Sequence, residues 1–564
     1  MSNTVVFSNP SNSPEIHHDS IESETGKNFI RLLVEKATTP FEKLGSAYCQ
    51  GQSINSVDLQ VYLNRWVRVL SSQGDPSRLE RYLKFAELTQ GELEQMFAPA
   101  KLKSDSSLPQ WAEMLQKVLR TGYDEDHPFS SKQGYAPVPF EELVLPFVSV
   151  FRNQLQKNSG SAYNLFSTGA HELVEQFVLG MLSRTMGEVL YQKFQSFLDG
   201  HLGLEREIEK PSEFADDHYY QEFVRSLQRD RLGEFWLNHP MLARTVGRSL
   251  NQQVQTFLKL LKRLDQDITQ CIAVFDLKET PGKVVDLKLG LSDPHKGGEG
   301  VVILKFESGW KVVYKPRDLS IGLAYNKFCA WVNERLSPQL KILTILPGEE
   351  YGWIEYAAGT TCTEEAALSR YYERAGILQG ITYLLDSTDF HAENVIASGE
   401  HPLLVDFETL LQPRLTSNDR KAKNDAETKS KILLESVMRA ALLPMHWQFA
   451  GIPNDSVSGF GSLNDIGTMI KTLKCQNTNT DRMELVQVPY EHRVESNVPT
   501  YHGEHRRIGE YQKEFKAGFT KFYDLLLEEK DLINSSESPL RFFENLEVRF
   551  IFRTTHIYDS ILKN

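Results

Sequence analysis

Residues 394–405 read Asn-Val-Ile-Ala-Ser-Gly-Glu-His-Pro-Leu-Leu-Val, and few backbone arrangements accommodate them. Two apolar runs too short for helices flank a Ser-Gly-Glu turn, which is the pattern of a buried β-hairpin. Such a hairpin fixes what stands at its open end. Asn394 enters the first strand and Asp406 leaves the second, so pairing sets an amide beside a carboxylate. Glu408 adds a second carboxylate two residues later. The stretch 364–386 ahead of Asp389 and His391 is apolar at helical spacing and is expected to be a helix leading into the hairpin.

Asn394 follows Asp389 by five residues, and Asp406 comes twelve after that. A lone Asp in a loop is usually a turn or a helix cap. The joint spacing points elsewhere. In protein kinases a catalytic-loop Asp positions the acceptor hydroxyl, an Asn five residues on holds one magnesium, and a later Asp-Phe-Gly carboxylate holds the other. Glu408 here replaces that glycine, so Asn394, Asp406 and Glu408 are the candidate magnesium ligands.

The segment upstream supports a kinase-type reading. Lys283–Gly290, Gly300–Phe306 and Lys311–Pro316 have strand composition, with a turn at Glu307-Ser-Gly-Trp. Asp293-Pro-His-Lys-Gly-Gly-Glu-Gly joins the first two. A glycine-rich turn can bring backbone N–H groups to phosphate, although alone it is more often only a turn. Lys315 ends the last strand and a helix is expected over 321–336, which is the element order of a kinase N-lobe. Lys315 is therefore the candidate for neutralising nucleotide phosphates.

Residues 26–275 carry almost wholly helical periodicity, and the polar residues 1–25 are expected to be a disordered tail. The predicted class is α+β: a large helical N-terminal region, a kinase-like N-lobe over 276–360, and a C-lobe over 361–564. The formal net charge of −13 argues against a general nucleic-acid binder. The five scattered cysteines suggest neither a zinc site nor a disulfide framework. No apolar run is long enough to span a membrane and no signal peptide opens the chain, so a cytoplasmic setting is expected.

Past Glu408, the charged segment 414–431 stands in the place of an activation loop. A helix is expected over 432–443, stopped by Pro444, and another over 509–529. Glu547-Val-Arg-Phe-Ile-Phe-Arg-Thr-Thr reads as a strand. Val548, Phe550 and Phe552 would bury one face, leaving Arg549, Arg553 and Thr555 on the other as an anion clamp.

Taken together, Asp293-Pro-His, Val313-Tyr-Lys-Pro-Arg, Thr388-Asp-Phe-His-Ala-Glu-Asn-Val-Ile-Ala, Gly399-Glu-His-Pro-Leu-Leu-Val-Asp-Phe-Glu-Thr, Leu443-Pro and Val548-Arg-Phe-Ile-Phe-Arg-Thr-Thr resemble the dehydratase domain of class II lanthipeptide synthetases, the LanM type. The resemblance covers roughly residues 140–564. It implies a lipid-kinase-like bilobal core acting on Ser and Thr of a precursor peptide made of leader and core. The implied reaction is phosphorylation by ATP with Mg2+, then elimination of phosphate to dehydroalanine or dehydrobutyrine. Asp389 would orient the hydroxyl, with His391 supporting it or contacting phosphate. Arg549 matches the family's elimination arginine and Thr555 its partner. Asp293 and His295 match further active-site positions, for the first step, the second or both. Full-length members continue into a zinc-dependent cyclase, which nothing in this chain supplies. A truncation, or one half of a split system with a separate cyclase as partner, is the expectation. The competing readings are a kinase for a lipid or small molecule without elimination, and an inactive peptide-binding module.

Overall fold

The computed structural model describes residues 24–49, 54–70, 76–103, 106–121, 136–202, 216–228, 232–292, 297–413, 435–444, 447–449, 452–454, 458–461, 468–492 and 496–550. The expected activation-loop segment 414–431 and residues 1–23 of the expected tail lie outside the described residues. The chain divides into two compact units. One comprises 1–265, 296–298 and 475–485, and the other 266–295, 299–474 and 486–564.

Helices build the first unit: α1 (Glu24–Ala37), α2 (Ser56–Leu70), α3 (Pro76–Phe85), α4 (Gln90–Phe97), α5 (Gln110–Thr121), α6 (Glu141–Ser159), α7 (Thr168–Leu202), α8 (His218–Ser226), α9 (Leu232–Asn238) and most of α10 (Pro240–Val274). Along α7, Val178, Leu182, Met186, Leu190 and Phe194 are all buried. They recur every fourth residue and so form one stripe. Each such side chain contributes about 1.5–3 kcal/mol on burial. Phe151 of α6 meets Phe257 of α10 edge-on, with ring centroids 5.9 Å apart. A two-residue strand pair, β1 (Tyr48–Cys49) with β2 (Lys101–Leu102), is the described sheet structure before α10.

Gly297 and Gly298 belong to this unit and have φ of +95° and +103°. A Cβ on Gly298 would stand 3.2 Å from Nε2 of Gln253 on α10. Both glycines therefore answer a backbone requirement whatever else the loop does. Residues 475–485 also belong here. Asn479 accepts the Phe140 N–H on Oδ1 and donates Nδ2 to the Val138 carbonyl, while Asp481 accepts the Tyr220 N–H.

In the second unit a five-stranded antiparallel sheet has the order β3-β4-β5-β7-β6. Its strands are β3 (Val284–Lys288), β4 (Val302–Phe306), β5 (Lys311–Lys315), β6 (Ile345–Gly348) and β7 (Tyr351–Glu355). Alternation along β5 sends Val312 and Tyr314 to one face and Val313 and Lys315 to the other. On the Tyr314 side, Tyr351 Oη and Trp353 Nε1 both donate to Asp267 Oδ2, at 2.7 and 2.8 Å. Asp267 lies in the last turns of α10, which fall within this unit. The unit boundary thus runs through a continuous helix, some ten residues before the expected change at 275. Val313 on the opposite face packs on the cluster that holds Leu403 of the hairpin β8 (Val395–Ser398) and β9 (His401–Leu404), against which Val405 just beyond β9 also packs.

Helix α11 (Ser320–Asn333) follows β5, and α12 (Glu365–Leu384) precedes the hairpin. Helix α13 (Gln512–Glu528) lies against α12 closely enough that the contact needs glycine. A Cβ on Gly376 would fall 2.0 Å from the Phe515 carbonyl oxygen, and one on Gly518 would fall 1.8 Å from that of Glu373. Backbone atoms cannot yield as side chains do. Gly376→Ala or Gly518→Ala is therefore expected to cost roughly 2–4 kcal/mol. Chemical denaturation followed by circular dichroism should show the lowered midpoint; unchanged midpoints would contradict this packing.

Of the helix expected over 432–443, residues 432–434 lie outside the described residues, Glu435 is helical, and a 3₁₀ turn follows at Val437–Ala440. Ala441 then adopts a φ of +61°. The carbonyls of Ala440, Ala441 and Leu442 accept from Phe390, Gly459 and Phe460. Those tertiary bonds satisfy carbonyls that a helix ending before Pro444 would itself leave free.

Candidate active site

The site forms around the hairpin, inside the second unit. The Val395↔Leu404 pairing and the Val405 N–H donated to the Asn394 carbonyl, at 3.1 Å, set Asn394 opposite Val405. Asp406 comes next. Phe407 is buried against Tyr325 of α11, with ring centroids 4.6 Å apart, so Asp406 and Glu408 turn away from that core on either side of it.

A strap formed by residues 407–412 holds the loop after α12. Thr388 donates its N–H to Thr409 and accepts the Thr409 hydroxyl, while the N–H groups of Leu411 and Gln412 reach the carbonyls of Leu385 and Asp386. Arg439 pairs with the Asp386 carboxylate and donates to the Gln412 carbonyl at 2.9 Å. Asp389 has a φ of +66°, a conformation Asp tolerates better than most residues. Asn394 Nδ2 donates to the Asp389 carbonyl at 2.8 Å, directing Oδ1 elsewhere. His391 Nδ1 accepts the Glu393 N–H at 3.3 Å, so in the neutral ring Nε2 carries the proton. That Nε2 stands 3.8 Å from Asp389 Oδ1, too far for a direct hydrogen bond.

Lys315 is only 6% exposed and donates to the Val405 carbonyl. Burial lowers its pKa to about 8, opposed by the carboxylates of Asp406 and Glu408. The ammonium is still charged at neutral pH, and a further anion beside it would restore its proton affinity. The sequence SIGLAYNKFCAWVN gives α11 no acidic residue to pair with this lysine, so the hairpin end supplies the counter-charge. Arg317, two residues on, spans both carboxylates, with Nη2 2.7 Å from Asp406 Oδ2 and Nη1 on Glu408 Oε2. For Asp406, burial favours the neutral acid, but Lys315 and Arg317 outweigh it and hold the carboxyl below its usual range. For Asp389, burial raises the pKa; His391 opposes this, and Asp406 and Glu408 add to it. A carboxylate pushed upward is better suited to accept a proton.

Arg549 is brought to the same place. Its Nη1 pairs with Glu408 Oε1, and its carbonyl accepts from Gln412 Nε2. The strand expected over 547–555 does not appear in its described part: residues 547–550 pair with no strand. Phe550 is 40% exposed, whereas Val548 packs on the core. Among the described residues, 547–550 are met by no strand edge, and the Arg549 bonds to Gln412 and Glu408 hold them instead. Asp293, His295, Arg553 and Thr555 lie outside the described residues.

Two carboxylates and an amide oxygen are hard donors of the type magnesium takes, and the charge already drawn to them is positive. Asn394, Asp406 and Glu408 therefore fit such an ion chemically. Among the described residues no group of three or more His, Cys, Asp or Glu side chains is arranged to hold a metal. No described helix is long and apolar enough to cross a membrane.

The family described as "Domain of unknown function (DUF4135)" matches residues 239–564, more than half of the chain. The chain belongs to that family. It is also similar to the "Lacticin 481/lactococcin biosynthesis protein LcnDR2" of Lactococcus lactis subsp. lactis, at 24% identity over 335 residues. That match takes in 56% of this chain and 35% of the relative, so the chain spans about a third of the length of the protein it matches. Every described residue of the site falls within the DUF4135 match. Arg317 is the site residue that spacing alone did not single out; the signal was a second cation, two places beyond Lys315.

Proposed function

We propose that this DUF4135 chain dehydrates Ser and Thr of a ribosomal precursor peptide in lanthipeptide biosynthesis, through a lipid-kinase-like core. The observation that carries this reading is Arg549 on Glu408. It sets a guanidinium with no evident use in plain phosphorylation against the Asp389–Asn394–Asp406 set. The name of the lactococcal relative, a lacticin 481/lactococcin biosynthesis protein, supports the biosynthetic setting.

In the first half-reaction Asp389 orients the acceptor hydroxyl and takes its proton as the oxygen bonds to the γ-phosphorus of ATP and the bond to ADP breaks. Lys315 would bind the phosphates, and Asn394, Asp406 and Glu408 would hold magnesium. That ion supplies charge neutralisation of the transferring group. In the second half-reaction a general base of the site takes the Cα proton of the phosphorylated residue, the Cα–H electron pair becomes the Cα=Cβ bond, and the Cβ–O bond breaks. The departing phosphate carries that last bond's electron pair and is bound by Arg549, whose planar fork suits it.

Mass spectrometry of a precursor peptide incubated with the protein, ATP and Mg2+ tests this reading. Successive losses of water are expected. A stable phosphorylated product would favour a kinase without elimination. An unmodified peptide together with no nucleotide binding by calorimetry would leave only a peptide-binding module.

A further inference from the structure

Arg317 touches both carboxylates assigned to magnesium, through different nitrogens of one guanidinium. It therefore occupies the two carboxylates that would hold a divalent ion. We propose that Arg317 and the divalent cation are mutually exclusive partners of Asp406 and Glu408, so the arginine must swing away for the ion to bind. This rests on the phosphoryl-transfer reading and adds a residue to it.

The local backbone permits that movement. Lys315 is the last paired residue of β5, opposite Gly352. Pro316 has no N–H to donate, so Arg317 lies beyond the ladder and its displacement breaks no sheet hydrogen bond. Lys315 differs, because it is buried and bonded to the Val405 carbonyl. The charge balance favours the exchange. Asp389, Asp406 and Glu408 face Lys315, Arg317 and Arg549, and these formal charges cancel. A dication added to that set leaves an excess of positive charge unless a cation departs or an anion arrives. Nucleotide phosphate supplies the anion, and a displaced guanidinium at the strand end is placed to contact it. Arg317 thus disfavours magnesium alone and tolerates it together with nucleotide.

Calorimetric titration of the full chain with MgCl2 alone, and with a non-hydrolysable ATP analogue, separates the outcomes. Arg317→Gln is expected to bind Mg2+ alone on the order of tenfold more tightly than the parent, by loss of a charge-assisted competitor. Arg317→Lys is expected in between, since a single ammonium cannot span both carboxylates as the fork does. Thermal melting guards against misfolding: the Gln variant should melt lower without metal and gain more from added Mg2+ than the parent gains. Equal or weaker Mg2+ binding by the variant overturns the competition while leaving the proposed function standing. No binding of Mg2+ by either folded protein, alone or with the analogue, overturns the phosphoryl-transfer reading and this inference with it.

Discussion

Precursor peptide treated with Asp389→Asn is expected to return at its starting mass, with neither phosphate gained nor water lost. The substitution suits the test because it changes little else. Asn tolerates the positive φ that residue 389 adopts, so the loop keeps its shape. The Asn394 amide bonds the backbone carbonyl of residue 389, which the change leaves intact. What disappears is a carboxylate whose proton affinity is raised by burial and by the neighbouring Asp406 and Glu408 charges. Loss of a positioned general base costs roughly 10²–10⁴-fold in rate. Initial rates of phosphate transfer measured by mass spectrometry should fall within that range, while thermal melting stays close to that of the parent. An Asp389→Asn protein that modifies peptide at the parent's rate would remove Asp389 from the chemistry.

The hairpin at the centre of this prediction was legible because its information is local. Apolar runs of fixed length, a Ser-Gly-Glu turn and polar groups at both ends leave one economical pairing, and β8–β9 adopt it. Lys315 was legible for a related reason, since β5 and α11 announce themselves by a change of period. Arg317 was not, because Lys-Pro-Arg reads locally as a strand end; only the fold brings carboxylates from 406 and 408 to it. Residues 547–550 failed in the opposite direction. Alternation suggested a strand, but strands require a partner edge and the sequence does not say whether one is present. The 432–443 segment has apolar periodicity enough for a helix; Glu435 is helical, and past the 3₁₀ turn the carbonyls of Ala440, Ala441 and Leu442 are taken up by Phe390, Gly459 and Phe460. Where such a segment stops following its local pattern depends on partners distant in the chain, which the sequence does not name.

Arg549→Ala is expected to separate the two half-reactions, yielding peptide that carries phosphate where the parent yields dehydrated residues. Phosphorylation should survive because Arg549 pairs with Glu408, and its loss leaves the side chains of Asp389, Asn394 and Asp406 in place while raising the proton affinity of Asp389 further. Glu408 still has a cation for its other oxygen, Arg317 or the divalent ion that would displace it, so its charge remains neutralised. Arg549 lies on a segment that pairs with no strand, so truncating its side chain removes no sheet contact. Elimination is different. Charge builds on the departing phosphate as the Cβ–O bond breaks, and removing a positioned donor from such a group costs about 10²–10³-fold. Arg549→Lys restores the charge without the planar fork, so it should recover part of the elimination rate and leave a mixture of phosphorylated and dehydrated peptide. The assay is a time course of intact peptide mass, with gain of phosphate and loss of water followed separately. If Arg549→Ala dehydrates peptide as fast as the parent, the arginine on Glu408 serves only to balance charge. If it instead abolishes phosphate gain along with water loss, its place is in the first half-reaction, and the assignment of an elimination clamp fails.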